Sequence, residues 1–93
     1  MNTVLAIDDD AITLGVLESQ LNRLGYRVFI EKAAVRGVEI ARGFNPDVIL
    51  LDLYMPVMDG FEVLAALRRD KNTHDIPVIM LTSDRREIPS LKR

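Results

Sequence analysis

Apolar positions in this chain gather into four short runs, with longer segments between them that repeat every three or four residues. The runs lie at 4–7, 26–30, 48–51 and 78–81. Short apolar runs rich in β-branched residues predict strands, and the intervening spacing predicts amphipathic helices. The first helix carries Leu14, Leu17, Leu21 and Leu24 on one face, with Asp10 before it as N-cap and Gly25 after it at the C′ position. The second, over about 33–43, turns Ala34, Val38 and Ala41 inward, although Gly37 weakens its helical preference. Asn45-Pro46-Asp47 ends it. Asp59 caps a third helix, from Gly60 to about Lys71, whose apolar face is Phe61, Leu64 and Leu67 with Val63 beside it. Residues 72–75 are polar and predict a loop, and Pro77 opens the fourth strand. Strands alternating with helices imply right-handed crossovers and a parallel sheet.

The run Val48-Ile-Leu-Leu51 is uniformly apolar, as in a central strand covered on both faces, whereas the half-polar run at 26–30 suits an edge. Ligand crevices of open α/β sheets lie beyond the carboxyl ends of the strands. Three strands end in groups capable of chemistry there. Asp8 and Asp9 follow the first, Asp52 follows the third, and Thr82 and Ser83 follow the fourth. If the first and third strands are neighbours, three carboxylates converge and repel one another unless protons or a cation neutralise them. Oxygen donors without His or Cys suit Mg²⁺. A carboxylate beside such an ion can also act as a nucleophile toward phosphorus. Each feature has a plainer reading: a solvated turn for Asp8-Asp9-Asp10, a strand terminus for Asp52, a β-branched strand residue for Thr82. His74, in the polar loop, is no ligand.

Composition narrows the class. Ninety-three residues make one domain, and 48% apolar with 28% charged residues describes a globular chain. A net charge of −2, with 5% aromatics, gives no basic surface for nucleic acid or an anionic membrane. The absence of cysteine excludes disulfides and thiol catalysis. No apolar run reaches the roughly 18 residues of a membrane span. A cytoplasmic domain is expected.

Residues 1–84 resemble a receiver domain of a two-component response regulator. The resemblance is carried by the strand ending Asp8-Asp9, by Pro46-Asp47 before the strand ending Leu51-Asp52, by Met55-Pro56 with Met58-Asp59-Gly60, and by Ile76-Pro77 before Leu81-Thr82-Ser83. It implies a flavodoxin-like parallel sheet, here in strand order 2-1-3-4, and phosphorylation of an aspartate by a sensor histidine kinase or phosphotransfer protein. Asp52 is then the phosphoacceptor. Asp8, Asp9, Asp52 and the Tyr54 backbone carbonyl become ligands of Mg²⁺. Thr82 is the switch hydroxyl, Ser83 leaves room beside the phosphoryl group, and Tyr54 stands where access of water is tuned. At most weak self-dephosphorylation is implied, rather than enzymatic turnover.

The family pattern continues with a fourth helix, a fifth strand ending in Lys and a fifth helix, which this sequence does not supply; residues 85–93 form an atypical tail. The expectation is therefore a truncated receiver, impaired in switching and joined as a homodimer through the fourth-strand edge or a swapped C-terminal segment. Two other readings stay open: a pseudo-receiver used only for dimerisation or docking, and a haloacid-dehalogenase-like phosphatase using Asp8 and Asp10. Against the last, Ile12 stands where that family resembles Thr or Val, and the chain is short for its remaining motifs.

Overall fold

The computed structural model describes residues 2–81 of the chain. Four strands, β1 (Thr3–Ile7), β2 (Arg27–Glu31), β3 (Val48–Asp52) and β4 (Val78–Leu81), form one parallel sheet in the order β2-β1-β3-β4. Three helices connect them: α1 (Ala11–Arg23), α2 (Ala34–Phe44) and α3 (Gly60–Arg69). This is the flavodoxin-like order predicted from the sequence. Thr82, Ser83 and the tail beyond them lie outside the described residues.

The two middle strands carry the burial. On one face Leu5, Ile7, Ile49 and Leu51 pack with Ala34, Val38 and Ala41 of α2 and with Val63 and Leu67 of α3. Fully burying an aliphatic side chain of this size contributes roughly 1.5–3 kcal/mol. On the other face α1 packs against β1 and β2, where Val4, Ala6 and Leu14 are buried. Leu50 of β3 is only half-buried. β1, not β3, is therefore the most completely buried strand.

Two helix faces differ from the expected ones. In α1 only Leu14 is buried and Leu17 and Leu21 are half-buried. Leu24 is 73% exposed, because it is the C-cap, where the chain leaves the helix. Gly25 follows at φ 97°, in the left-handed region that its missing Cβ permits. In α3, Phe61 faces outward while Gly60, Val63 and Leu67 face the sheet. The cap sets that phase. Asp59 Oδ1 accepts from the Glu62 N–H at 2.9 Å, and Glu62 Oε1 accepts from the Asp59 N–H at 2.9 Å. This reciprocal box fixes the first turn and rotates Phe61 outward.

Gly37 sits buried in the middle of α2. Alanine there would favour the helix by roughly 0.5–1 kcal/mol. A Cβ at this position, however, would lie 2.6 Å from Ile7 Cδ1 and 2.9 Å from Ile7 Cγ1. Overpacking costs roughly 1–3 kcal/mol, so packing outweighs propensity.

The α3–β4 connection is tied down from beneath. The Thr73 hydroxyl, in the segment read as a plain polar loop, is buried and donates to the Leu67 carbonyl at 2.7 Å. Arg68 reaches over the same segment to the carbonyls of His74 and Ile76. His74 itself contacts only Asp75 among the described ion pairs. Loss of the α3 box should be measurable: Asp59→Ala is expected to lower the unfolding free energy by about 1 kcal/mol in urea denaturation. A change within experimental error would mean that the box does not hold the helix start.

Candidate functional site

Parallel pairing of β1 with β3, Ile7 opposite Leu51, brings the two carboxyl ends level. Asp8 directly follows β1, its N–H still donating to the Glu31 carbonyl of β2 at 3.1 Å. Asp52 is the last residue of β3 and lies opposite Leu81 of β4. Carboxylate oxygens of Asp8, Asp9 and Asp52 all stand within 4.8 Å of one another. Asp8 and Asp52 are buried, 1% and 2% exposed, and Asp9 is exposed.

The backbone around the cluster is held on several sides. Asp8 Oδ1 accepts from the Asp10 N–H at 2.9 Å, which fixes the turn out of β1. Asp10 adds its expected capping role, with its carboxylate accepting from the Ile12 N–H and the Thr13 hydroxyl. That carboxylate thereby serves the helix start. After β3, Leu53 donates to the Leu81 carbonyl and accepts from the Gly60 N–H at 2.9 Å. A Cβ on Gly60 would stand 2.7 Å from the Asp52 carbonyl oxygen and 2.9 Å from Leu53 Cα. These are backbone atoms, so no side chain fits there, and α3 starts hard against the end of β3.

Between them the loop makes a tight turn in which Met58 N–H donates to the Pro56 carbonyl at 2.7 Å. Val57 at its apex has φ 70° and is 97% exposed. A β-branched residue in that region carries strain of about 1–3 kcal/mol. Beside the carboxylates, Asp9, Tyr54, Met55, Pro56 and Asp59 line an open hollow of about 330 Å³.

Electrostatics set the chemistry of this cluster. Burial raises the pKa of Asp8 and the charges of Asp9 and Asp10 add to it, while the Asp10 N–H opposes the rise. Burial, followed by the charge of Asp8, pushes Asp52 up to about 6, against the Tyr54 backbone N–H. Asp8 Oδ2 and Asp52 Oδ1 are buried and meet no donor. Contact between the two carboxylates becomes a hydrogen bond only when one of them holds a proton. Two unsatisfied buried acceptors and a third carboxylate, all hard oxygen donors, fit a small divalent cation such as Mg²⁺. Among the described residues, these are the predicted site residues that converge. Two supporting features went unread in the sequence: the second bond made by Asp10, and the Asp59-x-x-Glu62 spacing that signals a capping box.

The raised carboxyls fix a sign for pH dependence. A carboxyl whose folded-state pKa exceeds its ordinary 3.8 is protonated more readily in the folded state, so its ionisation disfavours folding. The penalty is absent below about 4, grows as pH rises through about 6, and is complete above it. In metal-free protein Asp52→Asn is therefore expected to raise stability at pH 7.5 by on the order of 1–2 kcal/mol. The gain should vanish near pH 4, as read by chemical denaturation at both values. An equal gain at both would mean that charge is not its source.

The sequence pattern of the response regulator receiver domain matches residues 4–92. A DNA-binding dual master transcriptional regulator of Synechocystis is 42% identical over 83 residues, which cover 89% of this chain and 34% of that protein. The chain spans about a third of the length of the first curated relatives that it matches. The N-terminal domain of a response regulator receiver protein from Methanoculleus marisnigri superimposes with a TM-score of 0.86 at 37% identity, over 90% of this chain and 68% of that one. The receiver domain of a sensor histidine kinase from Pseudomonas aeruginosa, with magnesium coordinated in its active-site cleft, superimposes with a TM-score of 0.84 at 31% identity, over 89% and 68% of the two chains. With this fold and these matches, the chain belongs to the response regulator receiver domain family.

Proposed function

We propose that this chain is a phosphoacceptor of two-component signal transduction, receiving phosphate on Asp52 from a histidine kinase or phosphotransfer protein. The observation that carries the reading is the convergence of Asp8, Asp9 and Asp52, two of them buried with oxygens that meet no donor. A carboxylate oxygen of Asp52 attacks phosphorus as the phosphorus–nitrogen bond of the donor phosphohistidine breaks. The electron pair of that bond returns to the imidazole, and an aspartyl phosphate remains. Attack by water later releases inorganic phosphate and restores the carboxylate, at most slowly. Asp8, Asp9, Asp52 and the Tyr54 backbone carbonyl are the proposed Mg²⁺ ligands; the ion, when bound, offsets the charge on the phosphoryl oxygens. Magnesium in the cleft of the Pseudomonas aeruginosa relative supports that choice. Thr82 and Ser83 follow Leu81, the register partner of Asp52, and are proposed to contact the phosphoryl group. A cytoplasmic location is proposed, because the kinases that would supply the phosphate draw on ATP there.

The 93 residues as a polypeptide are proposed to switch poorly. Lys32 and Lys71 line other hollows, one with Val35 and Pro56 and one with Arg42 and Asp70. A switch needs a second arrangement that phosphorylation favours. The test is acetyl phosphate with Mg²⁺, read by intact mass: one phosphate is expected on the parent and none on Asp52→Asn. In a metal titration Asp9→Ala should weaken Mg²⁺ at least tenfold more than Asp10→Ala, whose carboxylate serves as a cap. Equal losses, or phosphate retained on Asp52→Asn, would contradict the assignment.

A second reading, self-association for dimerisation or docking, is favoured by the outer edge of β4. Among the described residues no strand pairs there, and Ile79 is 53% exposed. An apolar edge with open N–H and C=O groups is a template for pairing with another chain. Two copies joined about a two-fold axis would cover both edges at once. Light scattering at low micromolar concentration should then give a homodimer of the 93-residue polypeptide, and Ile79→Lys should shift it toward monomer or aggregate. A cooperatively melting parent monomer would end this reading while leaving the phosphoacceptor one intact.

A further inference from the structure

Ile7 is fully buried and lies between α2 and the phosphoacceptor cluster, one residue before Asp8. Its side chain fills the space that a Cβ on Gly37 would occupy, with Cδ1, Cγ1 and Cγ2 at 2.6, 2.9 and 3.2 Å from that position. Gly37 is distinguished from Gly43 in the same helix, where an added Cβ meets nothing within 4 Å. Rotamers are staggered and few, and Ile7 belongs to the buried cluster that includes Leu5, Val38 and Leu51. A side chain at 37 would therefore be relieved by movement of α2 or of the β1 backbone. The β1 backbone continues directly into Asp8, whose Oδ1 is held by the Asp10 N–H at 2.9 Å.

We propose that Gly37 is a positioning residue for the metal-binding carboxylates: the empty volume above it seats Ile7, and Ile7 sets the height at which Asp8 leaves β1. The proposal rests on the Mg²⁺ reading above. It assigns α2, which bears no site residue, a defined share in the geometry of the site. It also gives residues 7 and 37 a reciprocal size rule: an added carbon at 37 requires a removed carbon at 7.

The experiment uses the full chain, at a temperature where each variant is folded by circular dichroism. Mg²⁺ affinity is titrated in the parent, Gly37→Ala, Gly37→Ala with Ile7→Val, and Gly43→Ala. The Asp10 amide proton shift, which reports the bond to Asp8, is read in the same proteins without metal. Gly37→Ala is expected to weaken Mg²⁺ at least fivefold and to move the Asp10 amide upfield. Adding Ile7→Val removes the nearest atom, Cδ1, but keeps Cγ1 at 2.9 Å, so it should bring the loss of affinity to under threefold and return the Asp10 amide part of the way to the parent shift. Gly43→Ala, with the same gain in helix preference, should change neither. A folded Gly37→Ala with parent Mg²⁺ affinity and an unmoved Asp10 amide overturns the proposal, as does a loss that Ile7→Val leaves uncorrected. If Gly37→Ala does not fold, Ile7→Leu, which relocates a methyl at the same contact, carries the test with the same thresholds. A parent that binds no Mg²⁺ would instead overturn the metal reading, and the metal-free amide shift would still decide the role of Gly37.

Discussion

Mutual repulsion among Asp8, Asp9 and Asp52 is the constraint around which this fold is arranged. Their carboxylate oxygens lie within 4.8 Å of one another, and two of the three side chains are withdrawn from water. Such an arrangement is unfavourable by itself, because desolvation and like charge act in the same direction. It persists because the chain leaves those carboxylates little room to separate. Asp8 is fixed between the β2 ladder and the Asp10 N–H. Asp52 closes a strand paired on both sides, with α3 pressed against its carbonyl at a glycine. The stability of the sheet is thus spent on holding a site that favours a cation or a proton. Burial supplies the raised proton affinity of the pair; geometry supplies the set of oxygen ligands.

The loop after β3 belongs to the same economy of strain. Pro56, Val57 and Met58 turn within three residues, and Val57 adopts a backbone conformation that β-branched residues avoid. That turn lets the chain leave Asp52, pass the hollow beside Asp9 and Tyr54, and re-enter as a helix at Asp59. The capping box then fixes the first turn of α3. The loop is thus strained at its apex and firmly capped where it enters α3.

Most of this was legible in the sequence because strand periodicity and strand-end chemistry coincide. Residues 4–7 and 48–51 are apolar and end in acids, and parallel pairing follows from the intervening helical segments. What stayed hidden depends on three-dimensional proximity rather than on period. Gly37 reads as a weak helix former until Ile7 is found against it. Thr73 reads as loop polarity, yet its hydroxyl satisfies a buried carbonyl at the end of α3. Leu24 fits the leucine spacing but falls on the cap, and Phe61 fits the spacing of α3 but is turned outward by the phase of the box. Spacing alone cannot say where a helix stops or in which phase it starts. Strand β1, rather than the more apolar-looking β3, proved the better covered, because α1 packs on β1 and β2.

The central claim is that a buried, mutually repelling carboxylate pair is built to be neutralised by a divalent ion. Carbon-detected titration of the aspartate carboxyls, with and without Mg²⁺, tests it most directly. The account predicts that in metal-free protein Asp8 and Asp52 titrate as a coupled pair above the ordinary carboxylate range, with Asp52 near 6. Saturating Mg²⁺ should abolish that elevated step, since the ion takes the place of the proton. Ordinary titration of both groups near 4, unchanged by Mg²⁺, would contradict it.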